Sequence, residues 1–505
     1  MKSLIEMPPY SEATKVILVS EETVAQHIAD DLAKNLKFKG TYKQVAVLPE
    51  KNQVLVGVTK KSSIKSTDQW NEVDTYELGA AVVNATKKTA LDTFQVSGLC
   101  QVFSGESKES QAKRLQLFVL GMHQASWMLD TYIPADKSTR KDLKVSVAEP
   151  EMALVTDAWK QELQALNDGV TLTRRMIDDM PESVNPSTIA DMIRSEFAGN
   201  LRVELKFIER EELERMGMGA FLAVGRASVH DPILAHVVIK PTGEVKNRIA
   251  LVGKGLTYDA GGLDIKIGGF MKTMKMDMGG SGTMFGTAKA LSQIDLAHTE
   301  IHWISAFAEN MVAGNSYKAD DILTSYSGQT IEVINTDAEG RLTLADALAY
   351  ATLQDPDYII DAATLTGACM RALTEHFTAL MGNDSEFIEA LQETFVAEQE
   401  KTIHVPMPEV LREQVQGEIS DLLNLGKDAA MGGHITAGLF LSHFVDQNLF
   451  RNESLGIKEP KAYKWAHLDI AGSAYNKGKN ALGVSGATGQ TVRSLVRFAQ
   501  EVDRD

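Results

Sequence analysis

Cysteine is nearly absent from this 505-residue chain: Cys100 and Cys369 are the only two. That excludes a disulfide framework and a multi-cysteine zinc site. No run of about 18 apolar residues is present, so no helix is expected to span a bilayer. The opening MKSLIEMPPYSEATK lacks the apolar centre of a signal peptide, and a cytoplasmic location is the expectation. Positive charge is in deficit, with 51 Lys and Arg against 68 Asp and Glu and a net charge of −17. That balance argues against a general grip on nucleic acid or anionic membrane. Several catalytic signatures are missing too. There is no HExxH, which argues against a mononuclear zincin site. The GKG at 253–255 lacks the upstream glycine and the following Ser or Thr of a phosphate loop, and GGSGTMFG (279–286) lacks dinucleotide-fingerprint spacing.

What is present is α/β patterning in a chain that is 44% hydrophobic, long enough for about two to four domains with a large core. KVILVS (15–20), QVAVLP (44–49) and QVLVGV (53–58) read as strands. Between the first two, Val24, Ile28, Leu32 and Leu36 recur at every fourth position behind a Ser20 cap, which predicts one helix. A second helix is predicted over 108–130, with Leu115, Val119 and Met122 on one face. His27 and His123 sit inside these helical patterns and read as structural. A polar stretch from Pro134 to Lys144 precedes a long helix over about 150–178, which Pro181 and Pro186 of MPESVNP end. The domains are therefore read as 1–165, including this linker helix, and 166–505. In the second, IALVG (249–253), EIHWISAFA (300–308) and YIIDAAT (358–364) read as buried parallel strands, with helices over 281–294, 341–353 and 366–380. The expected fold is α/β throughout. Its larger carboxy-terminal domain should have a mainly parallel central sheet flanked by helices, with ligands at the carboxyl ends of the strands.

Three segments place polar residues just past those strand ends. They are GKGLTYDAGGLDIK (253–266), MKMDMGGSG (274–282) and NTDAEGRL (335–342), the last following the strand TIEVI and opening a helix. Each alone reads as a turn or a cap. Together they offer Asp259, Asp277, Asp337 and Glu339, plus Lys254, Lys266 and Arg341. Four carboxylates in one pocket repel unless something positive neutralises them, and two divalent cations cancel them in formal charge. Paired metals about 3.5–4 Å apart are a recurrent hydrolytic device. Ligation by oxygen without histidine suits magnesium or manganese at least as well as zinc.

NTDAEGRL, with GKGLTYDAGG, KMDMGG, DAATLTGA (361–368) and WAHLDIAG (465–472), resembles the leucyl aminopeptidase (cytosol aminopeptidase) family of dinuclear metallopeptidases over roughly 165–500. The amino-terminal part matches in length and α/β character and is macro-like by that resemblance. The resemblance implies that Asp259 and Glu339 bridge two divalent ions (manganese or zinc, with magnesium possible). Asp337 completes the more exchangeable site, and Lys254, as a neutral amine, completes the tighter one with Asp277. It also implies that Lys266 polarises the scissile carbonyl. Arg341 holds a bicarbonate that acts as general base, helped by backbone donors near Leu365. Met274, Thr364, Gly367 and Ala471 match positions lining the pocket for the first side chain, which Ala474 widens. TYDAGG departs from the commoner TFDSGG, and MPESVNP is a loose form of the family's Pro/Asn-rich segment; neither changes a proposed ligand. The implied protein is a cytosolic aminopeptidase acting on peptides as a homohexamer, a dimer of trimers. The competing readings are a dinuclear phosphoester hydrolase and a DNA-binding regulatory or architectural role; the negative charge weakens the latter.

Overall fold

The β-branched runs of the amino-terminal part pair into a five-stranded sheet. The computed structural model describes residues 4–5, 12–60, 73–138, 142–428, 431–483 and 485–504. Its strands β1 (Thr14–Val19), β2 (Val45–Leu48), β3 (Gln53–Gly57), β4 (Thr93–Ser97) and β5 (Lys144–Val147) lie in the order β2-β3-β1-β4-β5, with only β2 antiparallel to its neighbour. The helix Lys108–Ser126 buries Leu115, Val119 and Met122 as its periodicity predicts, but it stops at Trp127, short of residue 130. His123 is structural: its Nε2 lies 3.0 Å from the Leu4 carbonyl oxygen, and burial pushes its pKa down to about 4.

The single helix expected between β1 and β2 is two short ones, Val24–His27 and Asp30–Asn35, separated by Ile28 in an extended conformation. Ser20 does not cap them; its backbone N–H donates to Thr23 Oγ1. Val24 and Ile28 are buried, whereas Leu32 and Leu36 are exposed, and Ala33 and Phe38 take the later core positions. Every-fourth spacing marks a helix only where one face has a core to meet along its whole length. The long helix also starts later than expected, at Asp157, and ends at Asp178 before the MPESVNP break. There Asn185 caps the next helix, Pro186–Glu196, in a reciprocal capping box with Thr188.

The chain forms two compact units, Met1–Thr171 with Lys477–Gly486, and Leu172–Asn476 with Ala487–Asp505. The larger unit contains β6 (Val203–Ile208), β7 (Ile233–Ile239), β8 (Asn247–Asp259), β9 (Thr299–Asn310), β10 (Ile322–Thr324), β11 (Thr330–Glu332), β12 (Tyr358–Ala363), β13 (Thr378–Gly382), β14 (Thr402–His404), β15 (Leu422–Leu423) and β16 (Lys464–Asp469). Eight of them form one sheet in the order β14-β13-β16-β12-β8-β9-β7-β6. The centre, β16-β12-β8-β9, is parallel, and antiparallel pairings lie toward both edges. The fold class is α/β, as the alternation predicts. Two details differ from expectation. The segment 366–380 is helical only over Gly367–Leu373; Thr374, at φ 68°, ends it, and the chain then enters β13. The strand in TIEVI, β11, belongs to a separate three-stranded sheet, β10-β11-β15.

The glycines of GGSG serve packing. The helix Gly279–Leu291 lies so close to the sheet that a Cβ on Gly280 would sit 1.9 Å from the Ala362 carbonyl oxygen and 2.8 Å from the Lys254 backbone nitrogen. The opposite face of the sheet is covered by the helices Gly219–Gly225, Gly340–Thr352 and Gly433–Ser442, whose apolar residues share one core with Ala250, Val252, Ile359 and Trp465. No helix among the described residues is long and apolar enough to cross a membrane.

Candidate active site

The acidic segments converge at the carboxyl ends of the central strands. Strand β8 runs on past residue 253, so Lys254 lies within it and Asp259 ends it. Asp277 lies in the short turn Met274–Met278 that leads into the glycine helix, and Glu339 is the N-cap of Gly340–Thr352. The carboxylates of Asp259, Asp337 and Glu339 offer oxygens all within 4.8 Å of one another, a grouping able to hold a metal ion. Two lysines thread between the acids. Lys254 Nζ lies 2.7 Å from Asp277 Oδ1 and 3.0 Å from Glu339 Oε1, and it donates to the Thr364 carbonyl at 3.1 Å. Lys266 Nζ lies 2.8 Å from Asp259 Oδ2 and 2.6 Å from Asp337 Oδ1. The loop carrying Lys266 is tied to NTDAEGRL by Asp264, which accepts from Thr336 N, while its own N–H donates to Thr336 Oγ1.

The electrostatics follow from burial. Four carboxylates and two ammoniums leave a formal excess of two negative charges among side chains that are mostly buried. Burial, reinforced by Glu339, pushes Asp259 up to about 7. Burial also raises Asp277 well above the usual carboxylate range and raises Asp337, the latter again with Glu339. Glu339 goes the other way: burial opposes its charge, but Lys254 and Lys266 outweigh it. For both lysines burial disfavours the charge, and the surrounding carboxylates reverse the sign and raise proton affinity. Asp277 Oδ2 and Glu339 Oε2 are buried with no hydrogen-bond partner. Such unsatisfied oxygens, beside a negative excess, fit a site built for cations.

Arg341 follows directly. It is 4% exposed, and its Nε and Nη1 have no partner. Burial pushes its pKa down to about 10, against Glu339 and Asp469, which favour the charge. The neighbouring loop is closed by Asp469, which accepts from Leu365 N at 3.3 Å, Ala471 N at 3.1 Å and Thr366 Oγ1 at 2.8 Å. The Leu365 N–H, within the stretch whose backbone donors the resemblance gives to an anion, is thus engaged by Asp469. Of the expected pocket residues, Thr364 donates its Oγ1 to Asp277 at 3.0 Å, Gly367 begins its helix and Met274 begins the turn bearing Asp277. A Cβ on Gly279 would meet Thr364 Cγ2 at 2.8 Å and Ala474 Cβ at 3.3 Å, so these two side chains flank one point.

Sequence reasoning missed several supporting residues. Asn310, opposite Asp259 in the β8/β9 register, donates to Asp259 Oδ1 at 2.8 Å and to the Thr336 carbonyl at 3.0 Å. Its signal was its place at the end of a parallel strand. Asp361, His467 and Asp469 lie inside recognised motifs, but only strand register shows that Asp361 and His467 face each other. Gly340 is a second constraint, because a Cβ there would lie 2.3 Å from Lys254 Cε. Gly340→Ala should therefore displace the Lys254 ammonium and lower kcat by about 10²-fold, the scale of a 1 Å misplacement. Kinetics and melting temperature measured on one preparation check this, and an unchanged kcat would contradict it.

Residues 171–496 match the model of the cytosol aminopeptidase family catalytic domain. A probable cytosol aminopeptidase of Wolinella succinogenes is 34% identical over 502 residues, covering 98% of this chain and 97% of that protein. Among solved structures, a tomato leucine aminopeptidase variant superposes with a TM-score of 0.82 at 28% identity, covering 97% of this chain and 94% of that one. A bottromycin maturation enzyme in complex with manganese gives a TM-score of 0.81 at 26% identity, covering 97% of this chain and 100% of that one. The chain belongs to the cytosol aminopeptidase family and is a metal-dependent aminopeptidase.

Proposed function

We propose that this aminopeptidase is of leucyl type and dinuclear, with its chemistry in residues 166–505. The observation that carries this reading is the cluster of buried Asp259, Asp277 and Glu339 with the partly exposed Asp337, together with its negative excess and unsatisfied oxygens. Asp259 and Glu339 would contact both cations, Asp337 the more exchangeable one, and Lys254 with Asp277 the tighter one. Bound cations would supply Lewis acidity toward the terminal amine and the scissile carbonyl, together with a water of lowered pKa. Manganese or zinc, with magnesium as a further candidate, suits this donor set; the manganese complex of the bottromycin enzyme supports the first. To act as a ligand, Lys254 must surrender the proton that its carboxylate partners favour, and a divalent charge within reach reverses that preference. Lys266, paired with Asp259 and Asp337, would keep its proton, and its ammonium would stabilise an oxyanion. Arg341 would hold bicarbonate as general base; its unpaired Nε and Nη1 and the planarity of the ion support this. Thr364, Gly367, Ala471 and Met274 would line the pocket for the first side chain, and a leucine- or methionine-sized group fits beside an adaptable methionine. Backbone donors near Leu365, other than the Leu365 N–H that Asp469 holds, would complete the anion's surroundings.

We further infer a homohexamer. Leu263, Ile265, Ile267 and Phe270 are exposed on the loop after β8 and give apolar surface for self-association to cover. The names of the relatives support a cytosolic location.

The decisive experiment compares leucyl anilide with its N-acetylated form. The free-amine substrate should be cleaved and the acetylated one should not. Equal rates would overturn the exopeptidase reading and leave a general hydrolase.

A further inference from the structure

Lys266 stands on a loop that is anchored on one side only. After Lys266 the chain runs exposed through Ile267 and Phe270. Phe270 N–H donates to the Ile267 carbonyl at 3.2 Å and Lys272 N–H to the Gly269 carbonyl at 3.3 Å, and among the described residues no hydrogen bond of 267–270 leaves the loop. A Cβ on Gly269, at φ 84°, would meet no atom within 4 Å. An ammonium that is to stabilise an oxyanion must nevertheless be in place before charge develops.

The constraint lies on the other side of Lys266. Its N–H donates to the Ala260 carbonyl at 3.0 Å, which closes a turn over 260–266. That turn meets NTDAEGRL at Thr336, a fully buried residue whose polar atoms are all engaged. Thr336 N–H donates to Asp264 Oδ2 at 2.8 Å, and its Oγ1 accepts from Asp264 N at 2.8 Å and donates to the Gly261 carbonyl at 2.6 Å. The Thr336 carbonyl accepts from Asn310 Nδ2 at 3.0 Å and from the Tyr317 hydroxyl at 2.6 Å. Asn310 and Tyr317 are buried and lie outside the turn, so Thr336 is fixed without help from residues 260–266. The turn has no such second support. Asp264 is itself exposed, and among the described residues it is the only side chain of the turn, besides Lys266, that bonds to NTDAEGRL.

We propose that Asp264 is the positioning residue for Lys266. Its carboxylate and N–H clasp the turn to buried Thr336 and so fix the ammonium beside Asp259 and Asp337. The inference rests on the reading of Lys266 given above. Asp264 acts by accepting a hydrogen bond and not by its charge, which only adds to the negative excess of the site.

The test uses the metal-loaded full-length protein and leucyl anilide. Asp264→Ala should lower kcat and kcat/KM equally, by about tenfold, with metal content unchanged. Asp264→Asn keeps an oxygen for the Thr336 N–H without the charge and should restore kcat. Lys266→Met should lower kcat by about 10²–10³-fold, and adding Asp264→Ala to it should cost nothing further, because nothing is left to position. Losses that multiply overturn the proposal. So do an unchanged kcat in Asp264→Ala, a loss of metal from it, or an Asp264→Asn protein as slow as the alanine variant. If Lys266→Met keeps full kcat, the reading of Lys266 falls and the proposal with it. Hydrogen exchange supplies a readout besides activity. Asp264→Ala should speed exchange over 261–272 about tenfold and leave 335–342 unchanged. Acceleration of both segments, or of neither, also overturns the proposal.

Discussion

Asp259→Ala should remove nearly all aminopeptidase activity and most of the bound divalent metal. Asp259 is the most connected acid of the cluster. Its Oδ2 pairs with Lys266, and its Oδ1 accepts from Gly261 N and Asn310 Nδ2, each at 2.8 Å. Those two donors fix the carboxylate at the end of β8, in the group with Asp337 and Glu339. Alanine leaves Lys266 with Asp337 alone and removes an oxygen donor proposed to serve two cations. Losing a residue that merely supports a metal ligand typically costs about 10–100-fold in affinity or activity, so loss of a shared ligand should exceed that range. Asn310→Ala supplies the internal scale: it removes one donor to Asp259 and should fall within about 10–100-fold. Metal content by atomic absorption, kcat and melting temperature, taken together, check both variants. An Asp259→Ala protein with full metal content and near-normal kcat would contradict the assignment.

Arg341→Ala should retain metal and substrate binding, lose about 10²–10⁴-fold in kcat, the range for general acid–base catalysis, and lose its response to bicarbonate. The stability effect separates this from a structural role. An arginine that held the core through ion pairs would leave a destabilised protein when truncated. Arg341 instead has two unpaired nitrogens in a buried setting, so its removal relieves a cost as well as creating a cavity. Melting temperature should therefore change far less than activity. Arg341→Lys should not rescue, since lysine keeps the charge but not the planar fork that matches a planar oxyanion. Unchanged kcat with intact bicarbonate stimulation would remove the anion from the mechanism.

The strand runs and the acidic segments were readable because each carries its signal locally. β-branched runs mark strands wherever they pair, and NTDAEGRL places Asp337 and Glu339 two residues apart beside a helix start. Other features depended on what lies across the fold. The break at Ile28 reflects a core that the later residues meet through Ala33 and Phe38 and not through Leu32 and Leu36. The turn to β13 after Thr374 reflects an open edge on β16, which a helical pattern does not announce. Asn310 supports Asp259 only because β8 and β9 are in register. The return of 477–486 to the smaller unit had no compositional mark.

The spacing of the site residues along the chain governs when the site can exist. Lys254 and Asp277 are 23 residues apart, Asp277 and Thr364 are 87 apart, and Thr366 and Asp469 are 103 apart. A zinc motif carried on one helix is half-built as soon as that helix forms. Here the loops that join the partners must close first, at an entropic cost, and the parallel pairing of β8, β9, β12 and β16 is slow by its topology. During synthesis the last of these strands, β16, leaves the ribosome after every residue of the acidic cluster. The nascent protein therefore lacks the Asp469 closure of the Leu365 loop until β16 has joined the sheet. Proteolytic competence and the native topology arrive together.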